Sequence, residues 1–157
     1  MVGKPRVSLA IGLFIVSIAA ASDPPVDVVH FWDDTDAMKP LERAYLIPVP
    51  ASAGVPATWE IKGAHSTFRL KRAPALLFLV RLAEGENPSK IQLFRLTGSG
   101  ARKPYPPRDS WRTAPLSVTS AGDSVGLAPV GELNEGEYAF VRAGSNEAFC
   151  FGVDPPK

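Results

Sequence analysis

The sequence is poor in several residues and patterns that most often reveal a protein's chemistry. Cys150 is its single cysteine, so no disulfide can form within one chain, even in an oxidising compartment. Only two histidines occur in 157 residues, and no stretch beyond residue 21 carries apolar residues at helical spacing. Sixteen prolines, about twice the usual share of ~5 %, stand at the edges of apolar runs and oppose long helices. These absences exclude a disulfide-stapled scaffold and a helical bundle.

The chain also lacks a surplus of charge of either sign. Seventeen basic and sixteen acidic residues give a formal net charge of +1. A nucleic-acid-binding domain of this size is usually strongly basic, so no nucleic-acid partner is predicted. Gly98-Ser99-Gly100 lacks the lysine and the following helix of a phosphate-binding loop, and no cofactor is predicted.

What the chain does have, at its start, is the pattern of a secretory signal peptide. Lys4 and Arg6 precede an uninterrupted run of low polarity at 7–18, and small residues follow at 19–21. The run is shorter than the ~20 apolar residues of a spanning helix. We therefore predict a cleaved signal peptide over 1–21, a secreted or periplasmic location, and no permanent membrane anchor after cleavage. Loss of the two basic residues changes the formal charge of the mature chain to −1.

The mature chain reads as one all-β domain built from short strands. Its apolar runs are five to eight residues long, rich in β-branched and aromatic residues, and bounded by Gly, Pro, Asn and Asp. We predict an N-terminal β extension with a Pro/Ala-rich connector over 22–57 and a β-sandwich body over 58–157. The nearly continuous apolar run 75–82 predicts a strand covered on both faces. The predicted strands are 26–32, 45–49, 58–62, 67–71, 75–82, 90–96, 116–121, 124–130, 137–143 and 147–153, with loops at 33–43 and 97–114.

One local motif narrows the fold class. Leu133, Gly136 and Tyr138 have the Leu-x-x-Gly-x-Tyr spacing of a tyrosine corner, the turn before the penultimate strand of immunoglobulin-like sandwiches. Phe140 stands where antibody domains carry a cysteine, in agreement with the single cysteine of the chain. Cys150, within a second apolar run, is predicted to be a small buried core residue. The motif therefore favours an immunoglobulin-like antiparallel β-sandwich.

Three short motifs also resemble a group of uncharacterised secreted bacterial proteins. They are Ile61-Lys62-Gly63 followed by Ser66, the Leu-x-x-Gly-Glu-Tyr-Ala-Phe turn at 133–140, and the closing Phe-Gly-Val-Asp at 151–154. The resemblance covers roughly the last two thirds of the chain. It implies export and a small β domain, and it implies no activity and no site residues.

The most distinctive candidate surface is the predicted loop 97–114. Cations and large aromatics alternate in it between prolines, which is the composition of interaction surfaces. Loops of this length in a compact domain are usually functional or disordered. We predict that it contacts a protein or an anionic envelope component, unless its aromatics fold back to close one end of the sandwich. The predicted contact residues are Arg102, Lys103, Tyr105, Arg108, Trp111 and Arg112.

Two alternative functions remain open at this point. One is a small hydrolase or metal-dependent enzyme that uses His30, His65 and the Asp33–Asp36 turn. Numbered from Asp34, this turn lacks the glycine and the glutamate that a calcium loop needs at its sixth and twelfth positions, so no metal ligand is predicted. The other alternative is a structural envelope subunit that pairs with its partner by edge strands.

Overall fold

The computed structural model describes residues 24–35 and 37–157. The predicted signal peptide, residues 1–21, and Asp36 lie outside the described residues. The described chain folds into fourteen strands and one 3₁₀ turn, Pro88–Lys90, which form two sheets packed face to face. None of its helical turns is long or apolar enough to cross a membrane.

Both sheets are antiparallel apart from the pairing of β6 with β14. The smaller sheet has the order β11 (Leu116–Ala121), β12 (Ser124–Pro129), β7 (Leu77–Arg81), β1 (Val29–Trp32) and β2 (Met38–Pro40). The larger sheet has the order β3 (Glu42–Tyr45), β14 (Glu147–Asp154), β13 (Gly136–Arg142), β8 (Ile91–Thr97), β9 (Ala101–Pro104), β5 (Thr58–Lys62) and β4 (Ile47–Val49). β6 (Arg69–Lys71) pairs in parallel with the end of β14, and β10 (Thr113–Ala114) pairs with β8. The predicted all-β antiparallel sandwich is confirmed.

The main core lies between the two sheets and is dominated by aromatic rings. Phe78 from the smaller sheet has no exposed surface and packs on Phe140 and Phe151 of the larger one, with ring centroids 4.9 and 4.8 Å away. Strand β7 presents alternate residues to this core, as a strand with one buried face should. Leu77 on its other face is exposed, so the prediction that 75–82 is covered on both faces is wrong.

The strands buried on both faces are β13 and β14. Phe149 and Phe151 of β14 enter the main core, whereas Ala148 and Cys150 face a second compartment on the other side of the same sheet. That second compartment is covered by the β4–β5 hairpin, because the larger sheet curls until β5 lies beside β3. The arrangement is a sandwich whose larger sheet is bent toward a half-barrel.

The tyrosine corner is present and ties the 133–138 turn to the core. The Tyr138 hydroxyl donates a hydrogen bond of 2.8 Å to the carbonyl oxygen of Asn134. The Tyr138 ring stacks on Phe151 with a centroid distance of 5.4 Å. Gly136 has a φ of 148°, a conformation that a residue with a Cβ rarely adopts, which explains the glycine of the motif.

Two segments predicted as loops contain strands. The 33–43 segment holds β2 and the first residues of β3, and Pro40 is tolerated there because β2 is an edge strand. The 97–114 segment holds β9 and β10. Both predictions are wrong because these strands have only two to four residues, too few for a visible alternation. Strands from 26–49 pair directly with those of 58–157, since β1 binds β7 and β3 binds β14.

Candidate partner-binding site

The part of 97–114 that protrudes is a short closed loop, Tyr105–Arg112, which we call the Trp111 loop. Its two ends are held together because β9 and β10 both pair with β8. The Arg112 guanidinium donates a hydrogen bond of 2.6 Å to the carbonyl oxygen of Tyr105, directly across the neck of the loop. The backbone N–H of Arg95 on β8 donates a hydrogen bond of 2.9 Å to the carbonyl oxygen of Arg112. The loop is thus anchored at its base.

Its interior is ordered by Asp109. The Asp109 carboxylate accepts a 2.8 Å hydrogen bond from the N–H of Trp111, and its carbonyl accepts one of 3.0 Å from the N–H of Arg112. The N–H of Asp109 donates 2.9 Å to the carbonyl of Pro106. These bonds, with three prolines at 104, 106 and 107, restrict the backbone in the manner of a compact Ω-loop.

Trp111 is the most prominent side chain on this surface. It is 55 % exposed, and its indole lies over the Arg95 guanidinium at 4.6 Å from the ring centroid. Arg95 also donates from Nη1 to the carbonyl of Trp111 at 3.4 Å. A cation–π contact together with a backbone contact holds the indole in one orientation. Trp111 is therefore an exposed aromatic on a fixed support.

Beside the indole opens a cleft of about 210 Å³. It lies between the Trp111 loop, the end of β8 and the tyrosine-corner turn. Burial raises the pKa of Tyr138, which lines this cleft, above its ordinary value of 10.0. Its lining residues include Arg95, Tyr105, Asp109, Trp111, Asn134, Glu135, Glu137 and Tyr138.

Four of the six predicted contact residues reach the surface. Lys103 and Arg108 are exposed, Tyr105 is partly exposed and lines the cleft, and Trp111 stands at its rim. Arg108 faces away from the cleft, toward the connector at 51–56. The structure therefore brings Tyr105 and Trp111 together and keeps the two exposed cations at the margin.

The other two predicted contact residues serve the interior. Arg102 is 2 % exposed, and its guanidinium pairs with Glu42 at 2.8 Å and donates to the carbonyls of Lys62 and Gly63, so its assignment to a contact surface is wrong. Arg102 points inward because it lies opposite Ile61 on β5, facing the second compartment. Arg112 is half-buried against the Phe94 ring at 5.4 Å, where burial lowers the pKa of its guanidinium. It closes the loop and is not free to bind a ligand.

Sequence patterns pointed to neither Arg95 nor Glu135, although both line the cleft. Arg95 lies in the predicted strand 90–96, whose apolar pattern indicated a strand but no function. Glu135 belongs to the tyrosine-corner motif, whose structural role masked it. Its carboxylate is exposed beside the indole, so it adds a negative charge to a surface predicted to be cationic.

The residues of the alternative enzyme site have separate partners. His30 is 7 % exposed on β1, where its Nδ1 lies 3.0 Å from the carbonyl of Val28. His65 is exposed and lies 3.3 Å from Glu137 on the larger sheet. Asp33 accepts hydrogen bonds from Thr35 and pairs with Lys39 at 2.8 Å; these contacts hold the pKa of its carboxyl far below the ordinary range. In the described part of the chain, no group of three His, Cys, Asp or Glu side chains could hold a metal ion.

A Gly-x-Ser-x-Gly pattern occurs at 122–126, where its context differs from that of a hydrolase. A nucleophile elbow needs a sharp turn from a strand into a helix. Here Ser124 opens β12 in a two-residue hairpin and pairs with Arg81 of β7, and Asp123 forms an ion pair with Arg81 at 2.6 Å. The pattern marks a hairpin and presents no catalytic serine.

Cys150 is fully buried in the second compartment, as predicted. Burial raises the pKa of its thiol to about 12, so almost no thiolate forms near neutral pH. Because the thiolate is the reactive species, Cys150 is not a nucleophile in the folded protein.

No known protein family, curated protein sequence or solved structure matches this chain. The resemblance to a group of secreted bacterial proteins therefore stays a prediction.

Proposed function

We propose that the protein is an exported, non-catalytic binding module that contacts a protein partner through the Trp111 loop. The observation that carries this proposal is the exposed Trp111 indole, 55 % accessible and supported by Arg95. Tryptophan, tyrosine and arginine dominate the binding energy of protein interfaces, usually at the centre of the contact. The signal-peptide pattern of residues 1–21 supports export to a secreted or periplasmic location.

The ordered backbone of the Trp111 loop favours a binding role over the alternative that these residues are only a solvated surface. The Asp109 turn and the Arg112 contact with the Tyr105 carbonyl already order the backbone before any partner arrives. Binding through a preordered loop loses less conformational entropy than binding through a flexible one. Most of the free energy gained by burying the Trp111 side chain is therefore available to stabilise the complex.

The size of the cleft favours a protein partner over a small molecule. Pockets for drug-sized ligands usually have 300–1,000 Å³, and the cleft beside Trp111 has about 210 Å³. That volume suits one side chain of a partner, packed between the indole and the tyrosine corner. Glu135 and Arg95 offer charges of both signs to orient it.

The charge of the surface weakens the case for an anionic envelope polymer. Of the four cations predicted to lie on it, Arg102 is buried with Glu42 and Arg112 closes the loop. Only Lys103 and Arg108 remain free to meet an anion. A polyanion would need a continuous stripe of basic residues. Two separate cations instead suit the polar rim of a protein interface.

A photo-cross-linking experiment tests the proposal. The photoreactive phenylalanine analogue p-benzoylphenylalanine replaces Trp111 in one sample and Tyr45 in a matched control, since Tyr45 is an equally exposed aromatic on β3 (59 %). A partner cross-linked from Trp111 alone is then purified and titrated against Trp111→Ala and Tyr45→Ala. We expect at least about 30-fold weaker binding for Trp111→Ala and less than about threefold change for Tyr45→Ala. Equal effects of the two substitutions would contradict the proposal.

A charge variant separates the protein partner from an anionic ligand. Lys103→Glu/Arg108→Glu reverses the two free cations, and Lys71→Glu/Lys90→Glu makes the same change at exposed lysines elsewhere. With a protein partner, the first variant should slow association and reduce its salt dependence, while Trp111→Ala still has the larger effect. If charge reversal abolishes binding and Trp111→Ala leaves it intact, an anionic envelope component is the ligand instead.

A further inference from the structure

The edge of the smaller sheet at β11 is largely exposed, and the 3₁₀ turn Pro88–Lys90 is a second described element, besides β12, that contacts this strand. β11 pairs with β12 on one side, and Ser117–Ala121 are all exposed. An edge strand presents unpaired N–H and C=O groups, which can template pairing with another chain.

The register fixes which backbone groups of β11 are free. Ala121 and Ser124 close the two-residue hairpin, and at its other end the N–H of Val130 donates 2.9 Å to the carbonyl of Pro115. Residues that exchange hydrogen bonds alternate along an antiparallel ladder with residues that do not. Residues 115, 117, 119 and 121 therefore bond to β12.

The backbone N–H and C=O groups of Leu116, Val118 and Ser120 point away from β12, beyond the edge of the sheet. None of the described residues donates a backbone hydrogen bond to them or accepts one from them. They form a row of three free donors and three free acceptors, spaced as in a regular strand.

This edge also lacks the protection that natural edges carry. Native proteins guard edge strands with lysine, proline, a bulge or extreme shortness. β11 has six residues, Leu-Ser-Val-Thr-Ser-Ala, without a charge or a proline. The strands at the other three sheet ends are guarded: β2 has three residues and contains Lys39 and Pro40, β3 contains Glu42 and Arg43, and β4 contains Pro48.

We propose that β11 pairs antiparallel with β11 of a second copy of this chain, about a twofold axis at Val118. In that register Val118 lies opposite Val118 of the partner subunit, and Leu116 lies opposite Ser120 of the partner subunit. All the free backbone groups of β11 are then paired. The two smaller sheets join into one continuous ten-stranded sheet.

A second copy suits this edge because the edge is complementary to itself. The twofold axis sets Val118, 39 % exposed, against its own copy, where both side chains lose water. Ser117 meets Thr119 of the partner subunit, a pair that can hydrogen-bond across strands. No like charges meet, and nothing on β11 offers a charge by which to select a strand of different sequence.

The same pairing stops at two copies. After β11 is paired, the ends of the joined sheet are the two β2 strands, each guarded by Lys39 and Pro40. A closed twofold dimer therefore forms, not an open chain of subunits.

The proposal is tested by sedimentation velocity of full-length protein over a range of concentrations. We compare the native chain with Val118→Lys, Val118→Glu, an equimolar mixture of these two, and Val55→Lys as a matched control at an exposed valine outside β11. The native chain and Val55→Lys should dimerise. Each Val118 variant alone should associate at least about tenfold more weakly, because like charges then meet at the axis. The mixture should recover a dimer through opposite charges.

Several outcomes would overturn the proposal: a native chain that stays monomeric, a Val118→Lys protein that still dimerises, or a mixture that does not recover. Thermal melting checks that the variants fold. Should Val118→Lys not fold, Ser120→Pro replaces it, since it removes one free N–H of the edge and none that bonds β12. Hydrogen exchange adds a direct reading: the amides of Leu116, Val118 and Ser120 should gain protection with rising concentration. If the exchange rates of these amides are the same in the dimer as in the monomer, the interface lies elsewhere and the proposed β11 pairing is wrong.

Discussion

The two compartments on either side of β13 and β14 use the same strands in different ways. The main core joins the two sheets through Phe78, Phe140 and Phe151, with no charged group among its buried members. The second compartment has apolar members of its own, among them Ile61, Phe94 and Cys150, and beside them lies the buried guanidinium of Arg102. The main core, the apolar compartment, therefore depends on apolar contact, whereas the second, the polar compartment, combines apolar contact with a buried ion pair.

The Arg102–Glu42 ion pair connects strands that lie far apart in the order of the larger sheet. Arg102 on β9 bonds Glu42 on β3 and the carbonyls of Lys62 and Gly63 at the end of β5. Glu42 in turn accepts hydrogen bonds from the hydroxyl groups of Ser66 and Thr67. Such a network adds little net stability against an apolar replacement, but it makes a wrong pairing costly, because that pairing would leave buried charge without partners.

Phe78→Ala should give the largest effect, in the apolar compartment. The side chain is fully buried and contacts three other aromatic rings, so its loss removes transfer energy and leaves a cavity. We expect a loss of about 4 kcal/mol in the free energy of unfolding, measured by urea denaturation. Tyr45→Ala, at an exposed site, should cost less than about 0.5 kcal/mol. A loss below about 2 kcal/mol for Phe78→Ala would mean that the main core does not carry the fold.

Arg102→Met should come second, with a loss of about 3 kcal/mol, because Glu42 keeps its charge without its partner. The double variant Arg102→Met/Glu42→Leu should recover most of that loss, since neither charge is then left unpaired. Urea denaturation of both variants measures the difference. If the double variant is as unstable as the single one, the pair stabilises the fold directly and the contrast between the compartments fails.

Tyr138→Phe removes one hydroxyl at the border of the main core and should cost about 1 kcal/mol, the usual net value of one hydrogen bond. The ring and its stacking on Phe151 remain, so the apolar part of the core is unchanged. Tyr105→Phe, a similar change on the Trp111 loop, should be neutral in the same denaturation assay. Equal losses for both would remove the tyrosine corner from the list of stabilising features.

Acid should weaken the polar compartment through Glu42, with the smallest effect of the four. Burial raises the pKa of this carboxyl, but the hydrogen bonds from Thr67 and Arg102 together outweigh burial and leave it below its ordinary value of 4.5. Because the pKa of Glu42 is lower in the folded protein than in the unfolded chain, its carboxylate stabilises the fold above pH 4.5. This stabilisation is lost as the pH falls through the pKa of Glu42 in the folded protein. Between pH 6 and 3, the native chain should therefore lose more stability than Arg102→Met/Glu42→Leu, which lacks this group. Parallel losses in urea titrations at the two pH values would show that Glu42 is not linked to folding.

Sequence patterns predicted the strands whose residues alternate or whose turns are short. The bounds of β5 and β11 were predicted to the residue, and the tyrosine corner identified the 133–138 turn. Burial on both faces was assigned to 75–82 instead of β13 and β14, because an apolar run does not show whether a second layer covers it. That layer is the β4–β5 hairpin, which only the curl of the sheet brings into place.

The candidate site was predicted in part for a related reason. Trp111 and Tyr105 were found because bulky aromatics between prolines stand out in any sequence. The inward direction of Arg102 could not be predicted, since its partner Glu42 lies sixty positions away in the chain. Arg95 was missed because its role depends on Trp111 folding back over β8.

The place of β14 in the larger sheet has a consequence for the order in which the molecule is made. This strand, the last in the chain, bonds to β13, β3 and β6 and forms a wall of both compartments. Neither compartment can close before residues 147–154 have been synthesised and have cleared the tunnel of the ribosome. The thirteen strands that precede β14 in the described chain can therefore pair only in part until this segment emerges, and both compartments then close together.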